Sequence, residues 1–167
     1  MRYAQVFPGQ GSQFVGMGKD LFDQYSEAKK HFLEANKILG FKITEIMFEG
    51  SQKELTETNI AQPAIFIHSI IKSRLVKKKG EIIGVAGHSL GEFSALVASN
   101  SISFQDGLKL VNIRAKEMRK ACEENPGTMA AVIGLENESV ENCCNKIKEI
   151  VVPANYNCPG QIVVSGE

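Results

Sequence analysis

The sequence has no excess of either charge, no apolar run of membrane-spanning length and no paired cysteine motif, and each absence closes off a class of function. Nineteen basic residues balance nineteen acidic ones. That balance argues against a protein that finds nucleic acid electrostatically, which usually shows a basic excess or stripe. A bilayer span needs roughly 18–20 consecutive apolar residues, and none occurs, so no membrane partner is expected. The apolar stretch after Met1-Arg2-Tyr3 is cut off at Pro8-Gly9, which is unlike a secretory leader. The four cysteines, Cys122, Cys143, Cys144 and Cys158, form no C-x-x-C pair, and no H-x-x-x-H accompanies them. A disulfide scaffold and a zinc site are therefore not expected. The reading is reduced thiols in a cytoplasmic protein with no metal.

What is present is ordinary globular material: 167 residues, 43% hydrophobic and 23% charged. Tyr3 to Phe7 reads as a short buried strand entering a glycine-rich loop, Pro8 to Gly18. A helix near Lys19–Gln24 follows, then one N-capped by Ser26 with an apolar stripe at Ala28, Phe32, Ala35 and Leu39. Ile43–Phe48 and Gln52–Glu57 read as short helices, the second capped by Ser51. Asn59 to Lys78 reads as a long helix with Pro63 near its first turn and Lys77-Lys78-Lys79 at its end. Glu81 to Ala86 is apolar and β-branched, as in a strand buried on both faces.

After Ala98 a helix opens at Ser103. Its stripe at Phe104, Leu108, Val111, Ala115, Met118 and Cys122 is spaced 4, 3, 4, 3, 4. Asn125-Pro126-Gly127 breaks the pattern. Beyond it, Thr128–Leu135, Glu138–Glu149, Ile150–Asn155 and Gln161–Ser165 read as strand, helix, strand, strand, the first part of a β-α-β-β-α-β split unit. The predicted class is α/β. Residues 1–124 read as the incomplete N-terminal part of an α/β-hydrolase-like large subdomain with a nucleophile elbow, and residues 125–167 as the incomplete β-α-β-β start of a ferredoxin-like small subdomain.

The chemistry concentrates in Gly87-His88-Ser89-Leu90-Gly91, a G-x-S-x-G pattern with an apolar strand before it and a helix after it. Such a turn strains the serine backbone, and glycines two residues either side remove side chains that would collide. The hydroxyl is thrust out at a helix N-terminus. There the Leu90 N–H and the helix dipole favour developing negative charge. The loop Phe7-Pro8-Gly9-Gln10-Gly11-Ser12-Gln13 is not a phosphate cradle. G-x-G-x-x-G would need glycine where Phe14 stands, and a P-loop would need lysine where Met17 stands. It reads either as a simple turn or as the donor of a second oxyanion N–H.

Taken together, Phe7-Pro8-Gly9-Gln10-Gly11-Ser12-Gln13 with Gly16-Met17-Gly18, Gln62-Pro63-Ala64, Gly87-His88-Ser89-Leu90-Gly91-Glu92, Arg114 and Asn155-Tyr156-Asn157-Cys158-Pro159-Gly160-Gln161 resemble the malonyl-CoA:acyl carrier protein transacylases. The acyltransferase domains of polyketide and fatty acid synthases share the pattern. The resemblance implies that Ser89 takes malonyl from malonyl-CoA as an ester and passes it to the phosphopantetheine thiol of acyl carrier protein, in fatty acid biosynthesis and with no bound cofactor. It implies Gln10 and Leu90 as oxyanion donors and Arg114 as holder of the malonyl carboxylate. By its position alone, Arg114 reads as a snorkelling surface arginine, and the resemblance reverses that reading. Gln62 is a candidate for lining the site. Glu92 reads as support for its helix N-terminus, and Asn155 and Asn157 as turn residues.

A nucleophilic serine needs a base. His31 reads as a surface or boundary residue, His68 as a core histidine, and His88 as too close in sequence to reach back. The family's base histidine and its second active-site glutamine have no counterpart in the sequence. The sequence therefore resembles the N-terminal portion of a longer enzyme: a fragment, one chain of a split enzyme or an inactive remnant, without normal turnover alone. The competing classes are a polyketide-type acyltransferase, a serine hydrolase and a non-catalytic acyl-binding or protein-interaction module. A patatin-like hydrolase would need D-G-[GA], and Asp106-Gly107-Leu108 does not supply it.

Overall fold

In a computed structural model, which describes residues 1–75 and 80–167, the chain divides into two units, Met1–Arg119 and Lys120–Glu167. The first is built on β1 (Arg2–Phe7) and β2 (Glu81–Gly87), paired in parallel with Val6 opposite Ala86 and Phe7 opposite Gly87. Parallel neighbours require a long crossover. Here its described elements are all helices: α1 (Lys19–Gln24), α2 (Ser26–Leu39), α3 (Ile43–Glu49), α4 (Gln52–Thr56) and α5 (Thr58–Leu75). The strand ends at Phe7 and Gly87 thus lie side by side, and the loops that leave them become neighbours.

The helices hold the core. Phe32 of α2, Met47 of α3, Leu55 of α4 and Ile65, Phe66, Ile67, Ile70 and Ile71 of α5 are almost wholly buried. Phe22, Phe32 and Phe48 meet edge to face. Ser51 caps α4 by accepting the Glu54 N–H at 3.2 Å, as its sequence predicts. Ser26 is instead the first residue of α2. Tyr25 closes α1 onto the Leu21 carbonyl and opens α2 by accepting from Lys29, so the cap position falls one residue before Ser26 and has no side-chain cap hydrogen bond. Pro63 lies at the sixth position of α5, later than expected, because Glu57 accepts from Ile60 and Ala61 and starts the helix early. Lys77-Lys78-Lys79 falls outside the described residues.

After β2 come α6 (Gly91–Ala98) and α7 (Phe104–Glu124). Ser103 caps α7 by accepting the Asp106 N–H at 3.0 Å, while its hydroxyl donates to the Asp106 carboxylate at 2.6 Å. The α7 stripe is buried at Phe104, Leu108, Val111 and Ala115 and emerges at Met118 and Cys122. The strands also depart from expectation. Neither is buried on both faces: Val6 is 77% exposed and Ile83 54%. Among the described residues the sheet has only two strands, with α6 packed against them.

The second unit is an antiparallel sheet of β3 (Thr128–Ile133), β4 (Val151–Cys158) and β5 (Gln161–Gly166), in the order β3-β5-β4, with α8 (Asn137–Asn145) against it. Val140, Cys144 and Ile162 form its core, with Val132, Val151 and Val164 around them. The helix is shorter than expected, and β4 runs on through Asn155 and Asn157, which are strand residues here rather than turn residues. The turn falls at Pro159-Gly160, where Gly160 takes φ 77°. The last strand, β5, is central, so the sheet edges lie on β3 and β4.

Candidate active site

The elbow is a steric construction. Ser89 sits at φ 54°, in the left-handed region that side chains avoid. A Cβ on Gly87 would overlap the Gly91 carbonyl, and a Cβ on Gly91 would overlap the Phe7 carbonyl oxygen. Both glycines of the pattern are therefore demanded by close backbone approach. Gly91 donates to the His88 carbonyl at 2.9 Å and Glu92 to the Ser89 carbonyl at 3.1 Å, which converts the turn directly into α6. The Leu90 side chain is fully buried, and its N–H precedes the first hydrogen bonds within that helix. Glu92 is exposed in the first turn.

The N-terminal loop abuts the elbow. His88 N–H donates to the Phe7 carbonyl at 3.0 Å. A Cβ on Gly9 would come within 2.8 Å of the His88 carbonyl oxygen. The loop is braced from within: the Ser12 hydroxyl donates to the Gly9 carbonyl at 2.9 Å, and Gly11 N–H to Gln13 Oε1 at 2.8 Å. Gln10 is exposed and its side-chain amide donates to Thr58 Oγ1 at 3.3 Å, which leaves its main chain at the turn between Gly9 and Gly11.

Arg114, three turns along α7, points inward rather than snorkelling. Its Nη2 donates to Ser89 Oγ at 2.9 Å and its Nη1 to Gln62 Oε1. Gln62 is completely buried, and its amide nitrogen donates to Met118 Sδ at 3.2 Å. Serine, arginine and glutamine thus form one connected set drawn from α5, the elbow and α7. Met118 was not singled out as a site residue by the sequence, where it reads only as part of an apolar stripe.

The Ser89 hydroxyl accepts from a guanidinium, which donates and cannot take up the serine proton. His31 is engaged elsewhere, 2.9 Å from Arg74 Nη1 and 3.4 Å from Glu34. His68 is not a core residue. It is half-buried and lines a cavity of about 360 Å³ with Gln5, Phe7, Met17, Ile65 and Lys72. Burial pushes its pKa below the usual histidine value, Lys72 adds to the effect, and Asp20 opposes it. Asp106 is occupied in the α7 cap. Among the described residues no three His, Cys, Asp or Glu side chains cluster as metal ligands, the cysteines are free thiols, and no helix is long and apolar enough to cross a membrane.

The acyl transferase domain family matches residues 4–167. A curated relative, the malonyl CoA-acyl carrier protein transacylase of Bacillus subtilis (strain 168), is 45% identical over 99% of this chain and 53% of its own. Among solved structures, a Streptococcus pneumoniae protein described by the abbreviation MCAT is 40% identical with a TM-score of 0.89, covering 100% of this chain and 55% of its own. A malonyl-transacylase solved in complex with a holo type II PKS acyl-carrier protein is 39% identical with a TM-score of 0.89, over 99% and 55%. The chain spans about half the length of the curated relatives it matches.

Proposed function

This chain belongs to the acyl transferase domain family, and on that premise we propose that it carries the nucleophile-bearing part of a malonyl-CoA:acyl carrier protein transacylase. Ser89 Oγ attacks the thioester carbonyl of malonyl-CoA. The carbonyl oxygen becomes an oxyanion held by the N–H groups of Leu90 and Gln10. One such donor is worth about 2.7–4 kcal/mol in the transition state. The C–S bond then breaks, coenzyme A leaves as the thiol with the proton from serine, and malonyl remains as the Ser89 ester. Attack by the phosphopantetheine thiol of acyl carrier protein reverses the sequence, giving ping-pong kinetics.

The observation that carries this reading is Arg114 Nη2 at 2.9 Å from Ser89 Oγ. A fixed cation beside the nucleophile suits an acyl group that carries its own carboxylate one methylene beyond the ester carbonyl. Malonyl has that carboxylate and acetyl does not. A neutral-ester hydrolase has no use for the cation. The proton acceptor for Ser89 lies outside the serine–arginine–glutamine set. In a serine protease, loss of the base costs on the order of 10⁶ in turnover, so the 167 residues alone are expected to turn over poorly. A polyketide-type acyltransferase is the second reading, since one similar structure is paired with a type II PKS carrier protein. We assign residues 1–124 to an α/β-hydrolase-like subdomain and residues 125–167 to a ferredoxin-like one. The parallel β1–β2 pair with its elbow supports the first assignment and the β3-β5-β4 order supports the second.

The test is intact-mass spectrometry of the chain incubated with malonyl-CoA, with and without imidazole as a diffusible base. A malonyl adduct that imidazole accelerates and Ser89→Ala abolishes is expected. No adduct under either condition, or one that persists in Ser89→Ala, would refute the proposal.

A further inference from the structure

We infer that Gln62 is a positioning residue for acyl-group selectivity, acting through Arg114 rather than on the substrate. This rests on the reading of Arg114 as the carboxylate holder and adds what fixes that cation in place. The buried amide has one arrangement that satisfies both neighbours. Arginine carries donors only, so the Gln62 oxygen must face Arg114. The Gln62 nitrogen then faces Met118 Sδ, a weak acceptor that asks for no proton of its own. A side chain with no exposed surface and both ends engaged holds one rotamer. It therefore fixes one guanidinium nitrogen, and the other lies 2.9 Å from Ser89 Oγ.

The chemistry of position 62 is as informative as its geometry. A neutral oxygen anchors the guanidinium by one hydrogen bond and leaves its charge unspent for an incoming carboxylate. A glutamate there would form a charge-assisted pair with Arg114 and occupy the cation from within. An apolar side chain would leave a guanidinium donor without its partner and let the group turn about its own bonds. Either change is expected to erode discrimination between acyl groups with and without a carboxylate, while Ser89 and its elbow remain.

The test compares the affinities of the 167-residue chain for malonyl-CoA and acetyl-CoA by calorimetry, in the wild type, Gln62→Glu and Gln62→Met. Alongside it, ¹⁵N NMR of labelled arginine follows rotation of the Arg114 guanidinium. The wild type is expected to favour malonyl-CoA and to show a slowly rotating guanidinium. Gln62→Glu is expected to lower the affinity ratio by about tenfold or more, the scale of one charged hydrogen bond. Gln62→Met is expected to lower the ratio and to speed the rotation, which a merely structural glutamine would not do. If the wild type itself shows no preference for malonyl-CoA, the carboxylate-holding reading of Arg114 fails. If the wild type discriminates and the variants keep the same ratio, the role given to Gln62 is overturned and that of Arg114 stands. Should a variant not fold, a freely rotating Arg114 guanidinium in the wild type is by itself enough to overturn the inference.

Discussion

Replacing Ser89 by glycine is expected to leave the protein more stable than replacing it by alanine, the reverse of the order found where the backbone is ordinary. Ser89 is held at φ 54°. A side chain in the left-handed region costs about 1–2 kcal/mol, because Cβ crowds the next carbonyl oxygen, and glycine escapes that cost. Glycine in turn has more freedom to lose from the unfolded chain, a penalty of about 0.4–1 kcal/mol relative to alanine. Both variants lose the hydrogen bond from Arg114 Nη2, so that loss cancels in the comparison. The glycine variant is left ahead by roughly 0.5–1 kcal/mol. In a chain of this size 1 kcal/mol corresponds to about 2–4 °C in Tm. The chain has no tryptophan, so urea unfolding is best followed by far-ultraviolet circular dichroism. Midpoints compared at equal m-values give the difference directly. An alanine variant as stable as the glycine variant, or more so, would refute a strained backbone at residue 89 and with it the elbow.

Gly107→Ala is expected to destabilise by about 1 kcal/mol, although alanine is the better helix former by about that amount. Its Cβ would come within 2.7 Å of Val97 Cγ2 and 2.8 Å of Phe66 Cζ, and both side chains are buried, with Phe66 stacked on Phe104. A stabilised variant in a urea melt would show that this contact gives way easily. Stability is also expected to fall as pH drops below about 6.5, the ordinary histidine value. His68 has a depressed pKa in the folded protein. The unfolded chain therefore binds the proton first, and protonation draws the equilibrium toward it. Urea midpoints measured from pH 7.5 down to pH 5 should fall less steeply in His68→Gln, and parallel slopes would contradict the assignment.

The sequence carried the elbow because its causes lie within five residues of chain. A strand, a helix and two glycines around a serine leave one way to turn, and the overlaps at Gly87 and Gly91 are the physical form of that pattern. The helices of the first unit were legible for a similar reason: apolar residues at i, i+3 and i+4 must share a face, and Ala28, Phe32 and Ala35 do. The exposure of Ile83 in β2 was not legible, because an apolar β-branched run shows what a strand can tolerate on its faces and not what packs against them in a chain that spans about half the length of its curated relatives. Composition alone could not distinguish a snorkelling Arg114 from one turned inward.

What decided that arginine was the tertiary structure. Ser89 and Arg114 are 25 residues apart, and Gln62 and Arg114 are 52. No local rule reaches across those distances, since the contacts exist only once α5, the elbow and α7 are packed. The turn that presents Ser89 was determined by sterics along the chain. Its neighbouring cation, the buried amide that anchors it and the sulfur that receives the amide were determined by the fold, because a guanidinium takes its direction from the acceptors that packing brings to it.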